Sequence, residues 1–263
     1  MTESYIKKLG PHSRLHLDNC WTEATLASVE EKCWRVVIKP QRNLNGTYLS
    51  RQEDGVYCQF QKFNGRSLWA VWGTSDRQVV KNHLAILPLM LRDLSDASRG
   101  ILQSSAHLLH WKSAASQAID FLETNETLFS DSHTISAITN SLTEVLMQDL
   151  EFETLVHGDF HPGNVLSNGL PSPYRHGVSD LENLTVGTVF VDVIYCAVWA
   201  QFVTDSKSYW NLIRYLEQLH SRSLSALDLG LASTLLINQA SQNHARIQKR
   251  ILNGLSWFVN QSM

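Results

Sequence analysis

His157-Gly158-Asp159-Phe160-His161-Pro162-Gly163-Asn164-Val165-Leu166, followed at residues 179–182 by Ser-Asp-Leu-Glu, is the stretch from which the rest of the chain can be read. Asp159 has a histidine two positions before it and Asn164 five positions after it, and a second aspartate, Asp180, follows on what reads as the next strand. That order suits phosphoryl transfer. One carboxylate accepts the proton of an attacking hydroxyl, while an asparagine amide oxygen and a second carboxylate hold the magnesium that neutralises a triphosphate. VLSNG and GVSD are short β-leaning runs separated by LPSPYRH, so the two motifs are expected at the mouth of an antiparallel hairpin, with Asn164 and Asp180 facing one metal. A loop of His, Asp, Pro, Gly and Asn alone is an ordinary turn. Here four polar positions fall in order, each beside an apolar β-like run, and that separates the stretch from a turn.

Protein kinases write the corresponding parts as H-R-D-x-x-x-x-N and D-F-G. This chain has Gly in place of Arg and Leu-Glu in place of Phe-Gly, departures that match another branch. The sequence resembles the aminoglycoside phosphotransferase and choline kinase family, whose catalytic loop reads H-G-D-x-H-x-x-N and whose metal strand reads D-W-E or similar. TVGTVFVDVIYCAVW is similar to the family's G-D-P-x-x-D-L-A segment, with Asp192 twelve positions after Asp180. The resemblance is specific over about residues 155 to 200. It implies an α+β, bilobal, protein-kinase-like fold with a small β-rich N-lobe and a larger, mainly helical C-lobe. It further implies Asp159 as catalytic base, Asn164 and Asp180 as Mg2+ ligands, and His157 and Asp192 as braces of the catalytic loop. His161 is expected to contact the acceptor or a phosphate, or to serve the loop structurally. The resemblance also implies ATP or GTP as donor and an aminoglycoside-like or choline-like hydroxyl compound as acceptor. The competing class is a kinase-like module that binds nucleotide or scaffolds a partner without turnover.

At 263 residues two lobes sharing a cleft are expected, residues 1–65 and residues 66–263. A formal charge of −3 carries no nucleic-acid signature. Cys20, Cys33, Cys58 and Cys196 lack C-x-x-C spacing and read as buried free thiols. The first residues contain no apolar signal core, and no apolar run is long enough to span a membrane, so a cytoplasmic protein is expected.

In the first seventy residues ATLASV and WRVVIKP read as one pair of strands, and TYLSR with VYCQFQKF as a second hairpin turned at Asp54-Gly55. On this reading Lys39 contacts the nucleotide phosphates, and Gln61, Lys62 and Phe63 form the hinge that meets the base edge. The stretch Asp18 to Thr22, where a phosphate loop would fall, has no glycine and is a poor phosphate cradle. The alternative register makes WTEATLASVEEK a helix that offers Glu23 or Glu30 to Lys7 or Lys8.

Beyond residue 66 the spacing turns helical, in VVKNHLAILPLMLRDL, in SAHLLHWKSAASQAIDFLE, in TISAITNSLTEVLMQDL and through the last sixty residues. His107 and His110, three apart, read as packing residues. Residues 113 to 156 hold eight acids and no Lys or Arg, an imbalance that either attracts a cationic acceptor or is a solvated helix face. From Trp199 to the end, three acids stand against six bases, which disfavours a heavily cationic antibiotic docking wholly there.

Overall fold

The fold is described from a computed structural model, over residues 4–33, 38–72, 87–98, 105–129, 132–152, 154–168, 176–200 and 206–262. The chain forms two compact units. One comprises residues 1–104, 153–157 and 162–186; the other comprises residues 105–152, 158–161 and 187–263.

The first unit opens with β1 (Ser4–Lys8), α1 (Asn19–Lys32), β2 (Pro40–Gln41), β3 (Leu49–Gln52) and β4 (Gly55–Gln61). β4 is the centre of an antiparallel sheet, with β1 along one side and β2 and β3 along the other. Its alternation fixes the faces: Cys58 and Phe60 are buried, and their partners across β1 are Lys7 and Tyr5. Directly opposed residues share a face of an antiparallel pair, so Lys7 projects from the inner side of the sheet. β3 and β4 join through Glu53 and Asp54, the turn expected at Asp54-Gly55.

ATLASV is not a strand. Asp18 caps α1, its Oδ1 accepting the Trp21 N–H at 3.0 Å. The buried residues Trp21, Thr22, Thr25, Leu26, Ser28 and Val29 then recur at helical spacing. The stretch Asp18–Thr22 is the capped first turn of this helix rather than a loop. In WRVVIKP, residues 34–37 lie outside the described residues. Lys39 precedes β2, and its carbonyl accepts the Gln61 N–H at 2.9 Å.

The unit continues with β5 (Arg66–Ser67), α2 (Leu68–Trp72), α3 (Leu87–Ser98), β6 (Thr154–Val156), β7 (Val165–Ser167), β8 (His176–Val178) and β9 (Thr185–Gly187). Residues 79–86 of the expected helical run are outside the described residues; α3 is its remainder. It packs on α1, where the Ser28 hydroxyl donates to the Ala97 carbonyl at 2.6 Å. β5, β7 and β8 form an antiparallel sheet, and β6 pairs with β9. The expected hairpin is thus β7–β8, with Val165 opposite Val178. Gly177 lets this hairpin pack closely: a Cβ there would come within 2.9 Å of Ile38 and of Phe63.

The second unit is helical: α4 (Ser105–Thr124), α5 (Ser132–Met147), α6 (Val191–Ala200), α7 (Ser206–His220), α8 (Ala226–Ser241) and α9 (Ala245–Ser262). α8 runs through its core and packs on α4, α5, α6 and α9. A reciprocal capping box of Ser225 and Asp228 starts α8, an arrangement that contributes about 1 kcal/mol. At Gly230 the helix touches α5 backbone to backbone, and a Cβ would lie 2.0 Å from the Ser141 carbonyl oxygen. The run Val191–Val198 is buried on every side, as its all-round apolar sequence requires.

Candidate active site

The β7–β8 hairpin carries Asn164 at its start and Asp180 just past its end. The Ser179 N–H donates to the Asn164 carbonyl at 2.9 Å and its hydroxyl to the same oxygen at 3.1 Å, so Asn164 and Ser179 face each other across the mouth of the hairpin. Fully buried His157 lies with Nε2 2.8 Å from the Ser179 carbonyl, tying the start of the motif to the segment that carries Asp180. Asp180 has φ 68° and ψ 57°, a left-handed backbone that a non-glycine residue holds at a cost of order 1 kcal/mol and that recurs at functional sites.

Asp180 and Glu182 both meet one cation. Lys7 Nζ lies 2.5 Å from Asp180 Oδ1 and 3.3 Å from Glu182 Oε1. Burial works against the Lys7 charge, but the hydrogen bond to Asp180 and the charges of Asp180 and Glu182 prevail and hold its pKa above the ordinary lysine value. Glu182 is fixed in turn by the Gly10 N–H, which donates to Oε2 at 3.2 Å, and by the Ser13 hydroxyl, which donates to its carbonyl at 2.8 Å. The glutamates of α1 face elsewhere. Glu23 accepts the N–H groups of Tyr48 and Leu49, each at 3.0 Å, and Glu30 accepts the Tyr48 hydroxyl. Lys8 pairs with Asp54 at 3.1 Å on the outside of the sheet. Gln61 ends β4, while Lys62 and Phe63 form the extended connector to β5, where Gly65 approaches the Ser167 backbone.

Asp159 belongs to the second unit. Its Oδ1 accepts the Tyr195 hydroxyl at 2.6 Å and the Gln239 amide at 3.3 Å, and His161 Nε2 stands 3.8 Å away. The Tyr195 oxygen is also 2.5 Å from Gln239 Oε1, so its single proton serves one of the two acceptors at a time. The Trp199 indole N–H donates to the same Gln239 oxygen at 3.2 Å, and its rings lie 5.3 Å from those of His161. Asp192, fully buried in the first turn of α6, accepts the Gly158 N–H at 3.1 Å. Gly158 has φ 77°, which accounts for glycine at this position.

Three of these side chains escaped the sequence reading. Tyr195 lies one helical turn beyond Asp192, and Trp199 four residues further, a spacing that puts them on one face and could have flagged both. Gln239 follows Asp159 by 80 residues and has no local signal.

The Asp180 carboxylate and the Asn164 amide are oxygen donors that fit magnesium, which is bound through one or two carboxylates together with phosphate oxygens and waters. Among the described residues no cluster of three or more His, Cys, Asp or Glu forms an all-protein metal cage. Nor is any described helix long and apolar enough to cross a membrane.

No curated protein matches the sequence. Solved structures share the fold. A point mutant of aminoglycoside 2′-phosphotransferase-IIIa in complex with GDP superposes with a TM-score of 0.56 at 17% identity, covering 100% of this chain and 92% of that one. The GDP and kanamycin complex of a 2″-phosphotransferase gives 0.55 at 17% identity, covering 100% and 94%. Spectinomycin phosphotransferase with ADP and its antibiotic gives 0.54 at 11% identity, covering 96% and 82%. The model of the phosphotransferase enzyme family matches residues 26–228, a span that takes in both the Asp159 loop and the Asp180 strand. The chain is therefore a member of the phosphotransferase enzyme family.

Proposed function

We propose that the protein is a magnesium-dependent kinase that transfers the γ-phosphoryl group of ATP or GTP to a hydroxyl of a small molecule. The observation that carries this reading is the pairing of Lys7 with Asp180 at 2.5 Å beside Glu182; both carboxylates lie just past the end of β8 and within the family match. Magnesium, held by Asp180 and Asn164, would neutralise charge on the nucleotide phosphates. The lysine that steadies those phosphates is Lys7. Lys7 is favoured over Lys39 because its ammonium already lies at Asp180 and Glu182.

Glu182 keeps Lys7 anchored when Asp180 turns to the metal. The Gln61 N–H is already given to Lys39, so Lys62 and Phe63 are left to meet the base edge as the hinge between lobes 1–65 and 66–263. Asp159 orients and deprotonates the acceptor hydroxyl, with Tyr195 and Gln239 fixing the carboxylate in one rotamer. His157 and Asp192 brace the loop through Ser179 and Gly158. A noncatalytic module is the weaker reading, since Asp159, Asn164 and Asp180 all stand in the sequence.

Thermal shift with and without magnesium tests the metal strand. ATP or GTP is expected to stabilise the protein only when magnesium is present, and Asp180→Ala to abolish that stabilisation by deleting a metal carboxylate. Full stabilisation of the variant would remove Asp180 from the site.

A further inference from the structure

Lys7 occupies the carboxylate that a metal would use. Its Nζ lies 2.5 Å from Asp180 Oδ1 and 3.3 Å from Glu182 Oε1. The side chains of Lys7, Asp180 and Glu182 are 28%, 26% and 20% exposed, so their charges are screened less than those of a surface pair. Glu182 owes its place to other groups as well. The Gly10 N–H donates to its Oε2 and the Ser13 hydroxyl to its carbonyl, and Arg14 Nη1 donates to the next carbonyl, of Asn183, at 2.8 Å. Asp180 takes its side-chain hydrogen bond from Lys7. Lys7 can therefore leave Asp180 and stay at the site on Glu182.

That contact sets a condition on what binds. A divalent cation arriving alone at Asp180 meets an ammonium on the same carboxylate and is held beside a positive charge, which costs it affinity. A metal-free triphosphate that draws Lys7 away leaves Asp180 ionised and uncompensated among like charges. A cation that arrives with a polyphosphate replaces both partners at once. Asp180 then exchanges an ammonium for a cation, and Lys7 exchanges Asp180 for a phosphate oxygen while Glu182 keeps it at the site.

Resting on the phosphoryl-transfer reading of the site, we propose that Lys7 is a specificity-determining residue that closes Asp180 to a free divalent cation and opens it to the cation–polyphosphate complex. The site then accepts its two ligands together and neither one alone. Two effects of opposite sign follow for the removal of one charge: Asp180 binds a free cation more tightly, and the nucleotide is bound less well. A lysine that only tied β1 to the Asp180 segment would instead lower the melting midpoint and leave cation binding where it was.

The test titrates the whole chain with Mn2+, a paramagnetic stand-in for magnesium, with no nucleotide present, and reads the unbound ion by electron paramagnetic resonance. Lys7→Met is expected to bind the ion roughly ten- to hundredfold more tightly than the unaltered protein, the factor that one charge-assisted hydrogen bond covers. Lys7→Arg, which keeps the charge, should resemble the unaltered protein, and Asp180→Ala added to Lys7→Met should erase the gain. Melting midpoints without ligand show which variants are folded, and Lys7→Gln is the second charge-free variant should Lys7→Met not fold. In thermal shift the unaltered protein should be stabilised by magnesium with ATP or GTP, and by neither magnesium nor nucleotide alone. A folded charge-free variant that binds Mn2+ within about threefold of the unaltered protein overturns the proposal. So does a gain that survives the loss of Asp180, or stabilisation of the unaltered protein by magnesium alone. Absence of stabilisation by magnesium and nucleotide together would instead bring down the kinase reading, and this proposal with it.

Discussion

Lys7 sits between two carboxylates, and in the proposed mechanism its charge steadies the nucleotide phosphates. Lys7→Met keeps most of the apolar stem and removes the charge. It is expected to raise the nucleotide KM roughly ten- to hundredfold, the equivalent of one charge-assisted hydrogen bond, while Lys39→Met stays near the unaltered value. Steady-state kinetics with varied nucleotide decide it, and the reverse ranking would return the phosphate site to Lys39. Glu182→Gln should raise the same KM by a smaller factor, because Lys7 then keeps Asp180 alone; an unchanged KM would remove Glu182 as its anchor. The preference for Lys39 in the sequence has a physical source. WRVVIKP alternates like a half-buried strand, whereas SYIKK is an exposed edge strand whose only inward cue is a lysine opposite Cys58. The juxtaposition of the Asn164 and Asp180 segments was legible because they flank one hairpin. Tyr195 and Gln239 reach Asp159 from two helices, which spacing in the chain does not encode.

At the scale of elements, α1 and α8 are where the fold is most exposed to single changes. Gly230→Ala would drive a methyl into the Ser141 carbonyl, 2.0 Å from the ideal Cβ position. The two helices must part, and a loss of about 1–3 kcal/mol is expected in denaturant titration, the usual cost of overpacking. A variant as stable as the parent would contradict the close helix crossing. Asp18→Ala removes the α1 cap and should cost about 1 kcal/mol. The helical C-terminal elements were readable from their period. ATLASV was misread because Ala, Thr, Leu and Val suit a strand as well as a helix in so short a window, and the capping aspartate two residues before Cys20 is the stronger signal. The hairpin at β7–β8 was readable because short β-leaning runs flank a Pro- and Ser-containing connector.

Across the whole molecule, burial predicts the chemistry of the four thiols. Cys20 is exposed, and Cys33, Cys58 and Cys196 are buried. Burial, with Glu23 nearby, pushes the Cys58 thiol up to about 12, so near pH 8 it remains protonated and unreactive. Titration with a disulfide reagent at that pH should find one fast thiol in the native protein and all four after unfolding; several fast thiols would contradict the packing. The two-part architecture followed from a β-rich start and a helical remainder, although the contact boundary runs through the catalytic motif, between His157 and Gly158 and again between His161 and Pro162. Local sequence holds no sign of that division, because it arises from which long-range partners each residue finds. The central claim is phosphoryl transfer through Asp159, and mass spectrometry of the acceptor pool after incubation with magnesium and ATP or GTP tests it most directly. The account predicts a phosphorylated acceptor formed in step with nucleoside diphosphate. It also predicts that Asp159→Asn lowers the rate roughly 10²–10⁴-fold while nucleotide binding persists, in line with loss of a general base. A phosphorylated product formed at an unchanged rate by Asp159→Asn, or tight magnesium-nucleotide binding with no phosphorylated product from any hydroxyl compound, would contradict it.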